Sequence, residues 1–217
     1  MKKLFAVLVV VLVLIGTGAA LAAIVNTKHD LSAAGVANNE VCVWCHTPHN
    51  SDTVQLAPLW SHESTVVNNY TIYSSATLDG TTSQPSGVTK ACLSCHDGTV
   101  AVGNIAYGKY AGNLDPGAHG NATDYAANAT MIGGALLGTD LSNDHPVSIT
   151  YENTLDAGLR APTNGRVSYN NITLQLYGAS NNMVECASCH NVHDDTNNPF
   201  LRASNSGSAL CLVCHDK

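Results

Sequence analysis

The sequence predicts a fold that is mostly coil, with short helices and a few short strands wrapped around a core that side chains alone do not supply. Three observations carry this expectation. Long stretches are rich in Gly, Ser, Thr, Asn and Ala, include Gly133-Gly134, and show no sustained helical periodicity. The 217 residues hold 2 Trp, 8 Tyr and 2 Phe, few rings for a domain that normally draws much of its core from them. Against that scarcity stand 8 Cys and 10 His, and every Cys falls in one repeated motif, Cys-x-x-Cys-His.

The N-terminus comes first. Met1-Lys2-Lys3 precedes an apolar run from Leu4 to Ile15 and small residues ending Ala20-Leu21-Ala22-Ala23. A basic n-region, an apolar h-region and an A-x-A site are the parts of a secretory signal peptide. The expectation is a signal over residues 1–22, cleaved after Ala22 or Ala23, and one domain over residues 23–217. An uncleaved anchor is the rival, because the uncharged stretch Leu4 to Val25 could just span a bilayer. The Gly16-Thr17-Gly18-Ala19-Ala20 tail suits a cleavage region better. No second apolar segment is long enough to span, so the mature form is expected to lack a transmembrane segment and to be exported, to the cell surface or medium, otherwise to the periplasm. The chain carries 9 Lys+Arg against 16 Asp+Glu, a net charge of −7, and losing Lys2 and Lys3 deepens it to −9. That balance argues against nucleic acid as a partner, which requires a basic face.

The motifs are Cys42-Val-Trp-Cys45-His46, Cys92-Leu-Ser-Cys95-His96, Cys186-Ala-Ser-Cys189-His190 and Cys211-Leu-Val-Cys214-His215. C-x-x-C-H is the covalent attachment signature of c-type haem. On one helical turn, thiols at i and i+3 reach the two vinyl groups of a single porphyrin, and the adjacent His presents its imidazole to the iron. Zinc ribbons use paired C-x-x-C without requiring that His. A disulfide framework explains an even count but not the repeated spacing, and thioredoxin-like chemistry uses one C-x-x-C on a βαβ scaffold. The expectation is four haem c groups held by Cys42, Cys45, Cys92, Cys95, Cys186, Cys189, Cys211 and Cys214. Their proximal iron ligands would be His46, His96, His190 and His215.

Four haems leave four distal positions for His29, His49, His62, His119, His145 and His193. Outside the signal, Met is limited to Met131 and Met183, so Met–His iron could occur at no more than two sites and bis-His ligation is the economical reading. His49 and His193 each lie three residues after a motif His. That His serves its own iron, so the second imidazole is expected to reach a different haem and to bring two irons close. His29 lies just after the cleavage site, and His145 precedes Pro146, which disfavours helix and presents it on extended backbone. The distal set is therefore His29, His49, His145 and His193. His62 and His119 are left off iron, His62 being the closer alternative.

An internal duplication is visible. Each half pairs a motif followed by a +3 His (Cys42 to His49, Cys186 to His193) with a motif followed by Asp (Cys92 to Asp97, Cys211 to Asp216). A two-haem unit would have been doubled and then loosened by insertions. Between motifs, the alternating stretches 147–151 and 166–177 are expected to form strands or hairpins, and short helices are expected at the motifs.

The whole chain after the signal resembles the tetrahaem cytochromes that polymerise into extracellular nanowires in metal-reducing bacteria and some archaea. The residues carrying the likeness are Asn26-Thr-Lys-His29-Asp-Leu-Ser32, Cys42 through His46-Thr-Pro-His49-Asn50, Pro58-Leu-Trp60, Cys92-Leu-Ser-Cys95-His96-Asp-Gly-Thr-Val100, Asn143-Asp-His145-Pro-Val147 and Ser208-Ala-Leu-Cys211 through His215. The resemblance implies a multihaem cytochrome c fold around a continuous haem chain, with bis-His iron and haems alternating parallel and T-shaped. It also implies that one haem takes its distal His from a neighbouring subunit, which maps onto His49 reaching the haem of Cys211 and Cys214. Identical subunits would then meet head to tail, a heterologous contact that gives an open filament rather than a ring. Upstream periplasmic or membrane cytochromes would be the electron donors. In a relative that stays soluble, His62 is the alternative ligand, displacing His49 or His29.

The expected function is extracellular electron transfer without substrate chemistry, because bis-coordinated iron binds a small molecule only after a ligand leaves. A soluble periplasmic tetrahaem shuttle is the alternative. A multihaem oxyanion reductase is less favoured, because it needs an open iron and no motif is altered. Sequons at Asn69, Asn121, Asn128 and Asn171 would permit glycosylation.

Overall fold

The computed structural model describes residues 24–32, 40–52, 57–105 and 130–216. The predicted signal and its cleavage site, His119, and the sequons at Asn121 and Asn128 lie outside the described residues.

Regular structure is sparse, as the loop-rich composition predicts. Helix α1 spans Gly87–His96, α2 spans Cys186–Cys189 and α3 spans Cys211–Cys214. Single 3-10 turns occur at Cys42–Trp44, Gly133–Ala135 and Ser206–Ser208. Every C-x-x-C-H motif thus sits on a helical turn. The first is a 3-10 turn, the second ends α1, and the third and fourth are α2 and α3. Each turn stops where the chain is pulled away. The Cys189 helix ends because His190 is extended, at φ −107° and ψ 147°. Beyond α1 the chain reverses at Gly98, whose φ of +73° favours glycine and where a Cβ would come within 2.6 Å of Leu136 Cδ1.

Strands β1 (Ile149–Thr150) and β4 (Met183–Val184) pair antiparallel, as do β2 (Arg166–Tyr169) and β3 (Ile172–Gln175). The second pair is a hairpin closed by Asn170 and Asn171, both left-handed at φ 47° and 64°. Asparagine tolerates that conformation, which two-residue hairpin turns require. Its register sets Val167 against Leu174 and Ser168 against Thr173. Val167 and Leu174 are 0% and 2% exposed, while Ser168 and Thr173 face solvent, so the alternation read from sequence becomes one buried face. The expected strand in 147–151 is β1, and its partner comes from the segment just before the third motif.

Among the described residues the side-chain core divides into three small clusters. Trp44, Val102 and Ile105 pack with Cys45 and Cys95, joining the first and second motifs. Tyr151, Val167, Leu174, Leu176, Leu210 and Val213 pack with Cys189 and Cys214, joining the third and fourth. Tyr70, Leu93 and Leu141 form the third, against α1. Two of the three clusters are therefore built around motif cysteines. Among the described residues no helix is long and apolar enough to cross a membrane.

Candidate haem attachment and axial-ligand sites

The eight motif sulfurs are joined to no other sulfur. Among the described residues no three His, Cys, Asp or Glu side chains converge as they would around one metal ion. Burial pushes the Cys45 and Cys95 thiols up to about 12 and that of Cys214 to about 11. An environment that opposes thiolate suits a neutral thioether at these three positions.

The motifs are also brought together. The backbone N–H of Cys186 donates to Thr89 Oγ1 at 3.1 Å, seating the start of α2 against α1. There the Cys92 thiol hydrogen-bonds Cys186, which holds Cys92 up and Cys186 down. With Cys45 beside Cys95 and Cys189 beside Cys214, all four motifs lie in one contiguous series. Nothing in the local sequence announced the contact between Cys92 and Cys186.

Three motif histidines are oriented by backbone carbonyls. His46 Nδ1–H donates to Pro58 O at 2.7 Å, His96 to Ala135 O at 2.9 Å and His190 to Pro199 O at 3.0 Å. A proton held on Nδ1 fixes the tautomer and leaves the Nε2 lone pair as the ligand. These carbonyls lie 12, 39 and 9 residues from their histidines, distances that no short motif encodes, and sequence reasoning missed them.

Three further imidazoles stand opposite motif histidines. Ring centroids are 6.1 Å apart for His29 and His96, 6.1 Å for His46 and His193, and 6.4 Å for His145 and His215. Two metal–nitrogen bonds of about 2 Å and two ring radii of about 1 Å span roughly 6 Å, so each pair is spaced to hold one iron between its rings. The residues present fit the group.

Their electrostatics agree with that fit. Burial, aided by nearby His96, pushes His29 down to about 4, so its ring is neutral at physiological pH, as a ligand must be. His29 Nδ1 is also a buried nitrogen without a hydrogen-bond partner. Burial likewise lowers His96, and burial together with His46 lowers His193. His193 thus faces the first motif although it follows the third, and the chain around His145 and Pro146 is non-helical.

The remaining histidines differ. His62 is buried, with Nδ1 on Glu63 O at 2.7 Å and Nε2 on Ala101 O at 3.1 Å, so backbone engages both ring nitrogens. His49 is exposed. The resemblance assigns His49 of a neighbouring subunit to the haem of Cys211 and Cys214, whereas within the chain the imidazole opposite His215 is His145.

A family model described as the doubled CXXCH motif matches residues 179–217, which carry the third and fourth motifs. No curated protein matches the chain at a significant level. The doubled motif and the low-helix, coil-rich architecture are those of a multihaem c-type cytochrome. Its haem is bound covalently and its chemistry is electron transfer.

Proposed function

We propose that the protein carries four haem c groups, one on each motif, and passes electrons along them without substrate chemistry. The observation that carries this reading is the set of three facing imidazole pairs at 6.1, 6.1 and 6.4 Å. His46, His96, His190 and His215 are the proximal ligands, and His29, His145 and His193 are distal ligands from the same chain. Bound haem supplies a one-electron Fe(III)/Fe(II) couple, which bis-His ligation sets lower than Met/His would. The chain's part is to hold neutral imidazoles, exclude water and keep successive attachment sites in contact. Adjacent Cys45/Cys95, Cys92/Cys186 and Cys189/Cys214 support a continuous path.

The protein acts, in this reading, outside the cytoplasm as the repeating subunit of a conductive filament, fed by upstream periplasmic or membrane cytochromes. The nanowire resemblance and an exposed His49 available to a neighbouring copy support it. Mass spectrometry of the native secreted protein is expected to show four haems, and negative-stain microscopy thin filaments whose subunits separate in the His49→Ala variant. Fewer than four haems would refute the count. Small particles alone would replace the filament with a soluble periplasmic shuttle, and intact His49→Ala filaments would remove His49 from the contact.

A further inference from the structure

His29 reaches the second motif from a turn whose backbone its own neighbours fix. Asp30, 3% exposed, accepts the N–H groups of Asn26 and Ser32 at 2.8 and 3.1 Å, and Thr27 Oγ1 donates to Ile24 O at 2.6 Å. A fixed backbone still leaves the imidazole plane open, because the histidine χ2 torsion has broad wells. A second ring lies against it. Phe200, 6% exposed, meets His29 edge to face, with centroids 4.4 Å apart and planes at 61°, an arrangement that aromatic pairs prefer.

Phe200 is held there against its own backbone preference. Its φ is +56°, in the left-handed region where a bulky side chain is an outlier. Such strain persists where surrounding contacts over-determine it. Phe200 N–H donates to Asp195 Oδ1 at 2.9 Å, and its carbonyl accepts from Asn191 N–H at 2.7 Å. Just beyond it, Arg202 N–H donates to Cys189 O at 2.9 Å. The preceding carbonyl, of Pro199, is the one that orients His190. One corner of the chain thus touches His29 through a ring and His190 through a carbonyl. We infer that Phe200 is a positioning residue for the second haem, its ring fixing the plane in which His29 meets the iron held by His96. This rests on the four-haem reading above, in which His29 and His190 serve successive haems. The 66° angle between the His29 and His96 rings is then set by the loop after the third motif, and the second and third haems share one scaffold element.

The test is electron paramagnetic resonance of the oxidised holoprotein. His29→Ala first identifies the low-spin signal of the second haem by removing it. Phe200→Gly then deletes the ring, while glycine accepts the left-handed corner and leaves the Pro199 carbonyl on His190. The second haem's signal is expected to shift and broaden, and the parallel-pair signal of His46 and His193 to stay where it is. Phe200→Leu is the second variant, because it keeps apolar bulk at a buried position. It is expected to move the same signal, since a branched aliphatic chain offers no flat edge to the imidazole. An unmoved second-haem signal in either variant, with its haems counted by mass as in the parent, would overturn the inference and leave His29 as a ligand. Equal shifts in every low-spin signal would overturn it too, by showing that Phe200 supports only the fold. If His29→Ala removes no signal, His29 is not on iron, and the inference falls together with that ligand assignment.

Discussion

His46 and His193, contributed by the first and third motif regions, face each other with ring planes 11° apart. The pairs His29/His96 and His145/His215 are instead turned by 66° and 68°. The angle between two axial imidazole planes sets how unequally they interact with the iron d orbitals, so the three pairs should not share one spectrum. We expect electron paramagnetic resonance of the oxidised protein to show one rhombic low-spin haem from the parallel pair, beside strongly anisotropic low-spin signals from the crossed pairs. His193→Ala should remove the rhombic signal alone. His193→Met should raise the potential of that one haem, because Met/His ligation favours the reduced state. Loss of a crossed-pair signal in either variant would separate His193 from the first haem.

His62 supplies the complementary case. At 2% exposure it joins the backbone at Glu63 O and Ala101 O, and so ties the segment after the first motif to the chain beyond the second. His62→Leu removes the part-buried contacts with these carbonyls, at a cost of about 0.5–1.5 kcal/mol in denaturant unfolding. The haem spectrum should be unchanged, with the same low-spin signals. A new high-spin haem in this variant would place His62 on iron and restore it as the alternative to His29 or His49.

Asp97 follows the second motif directly and is 4% exposed. Tyr70 OH donates to its Oδ2 at 2.6 Å, Thr65 Oγ1 donates to the same oxygen, and the N–H and Oγ1 of Thr99 both donate to Oδ1 at 2.8 Å. Fully satisfied, the carboxylate anchors the end of α1 that carries His96. Tyr70→Phe removes one charge-assisted bond and should cost about 1.5–3 kcal/mol. The same contact predicts a pH dependence. Burial first, and then the Asp97 hydrogen bond, raises the Tyr70 phenol above its ordinary 10.0. The unfolded chain therefore releases this proton at lower pH than the folded one does. The stability it contributes is complete below pH 10 and declines as pH rises through the higher folded value. Denaturation midpoints measured between pH 9 and 11 should fall less steeply in Tyr70→Phe, and parallel profiles would refute the assignment.

How far the sequence discloses this arrangement depends on the range of the interaction concerned. The helical turn at each motif is local, fixed by the i, i+3 cysteines, and the β2–β3 hairpin is marked by Asn170-Asn171 between alternating residues. The offset of His193 from His190 also indicates a different haem. Which haem is a tertiary fact, because it depends on the first motif being carried to the third through Cys45, Cys95, Cys92 and Cys186. The carbonyls of Pro58, Ala135 and Pro199 were equally hidden. They belong to loops whose residues carry no signal for the contact, since any residue can offer a carbonyl and only loop closure decides which one arrives. His62 was the nearest of the ambiguous histidines because its neighbours in sequence give no hint that Ala101 waits 39 residues away.

Arg160 holds the last motif in place, and two substitutions divide its contributions. Its Nε donates to Leu212 O inside α3 at 3.0 Å, its guanidinium carbon lies 3.7 Å from the centre of the Tyr169 ring, and its Nη2 meets Asp216 at 2.9 Å. The Asp216 side chain is 60% exposed, so water screens that ion pair and Asp216→Ala should cost less than about 1 kcal/mol. Arg160→Ala also removes the bond to the helix carbonyl and the stacking on Tyr169. A cation over an aromatic face contributes about 0.5–2 kcal/mol, and a charged hydrogen bond about 1.5–3 kcal/mol. The larger loss should therefore come from Arg160, by about 2 kcal/mol or more. Because this arginine braces the turn bearing Cys211, Cys214 and His215, the loosening should be local: hydrogen exchange should accelerate across residues 211–215 in Arg160→Ala and stay unchanged there in Asp216→Ala. Equal destabilisation by the two substitutions would mean that the exposed ion pair, not the helix carbonyl and the ring, holds the fourth motif to the β2–β3 hairpin.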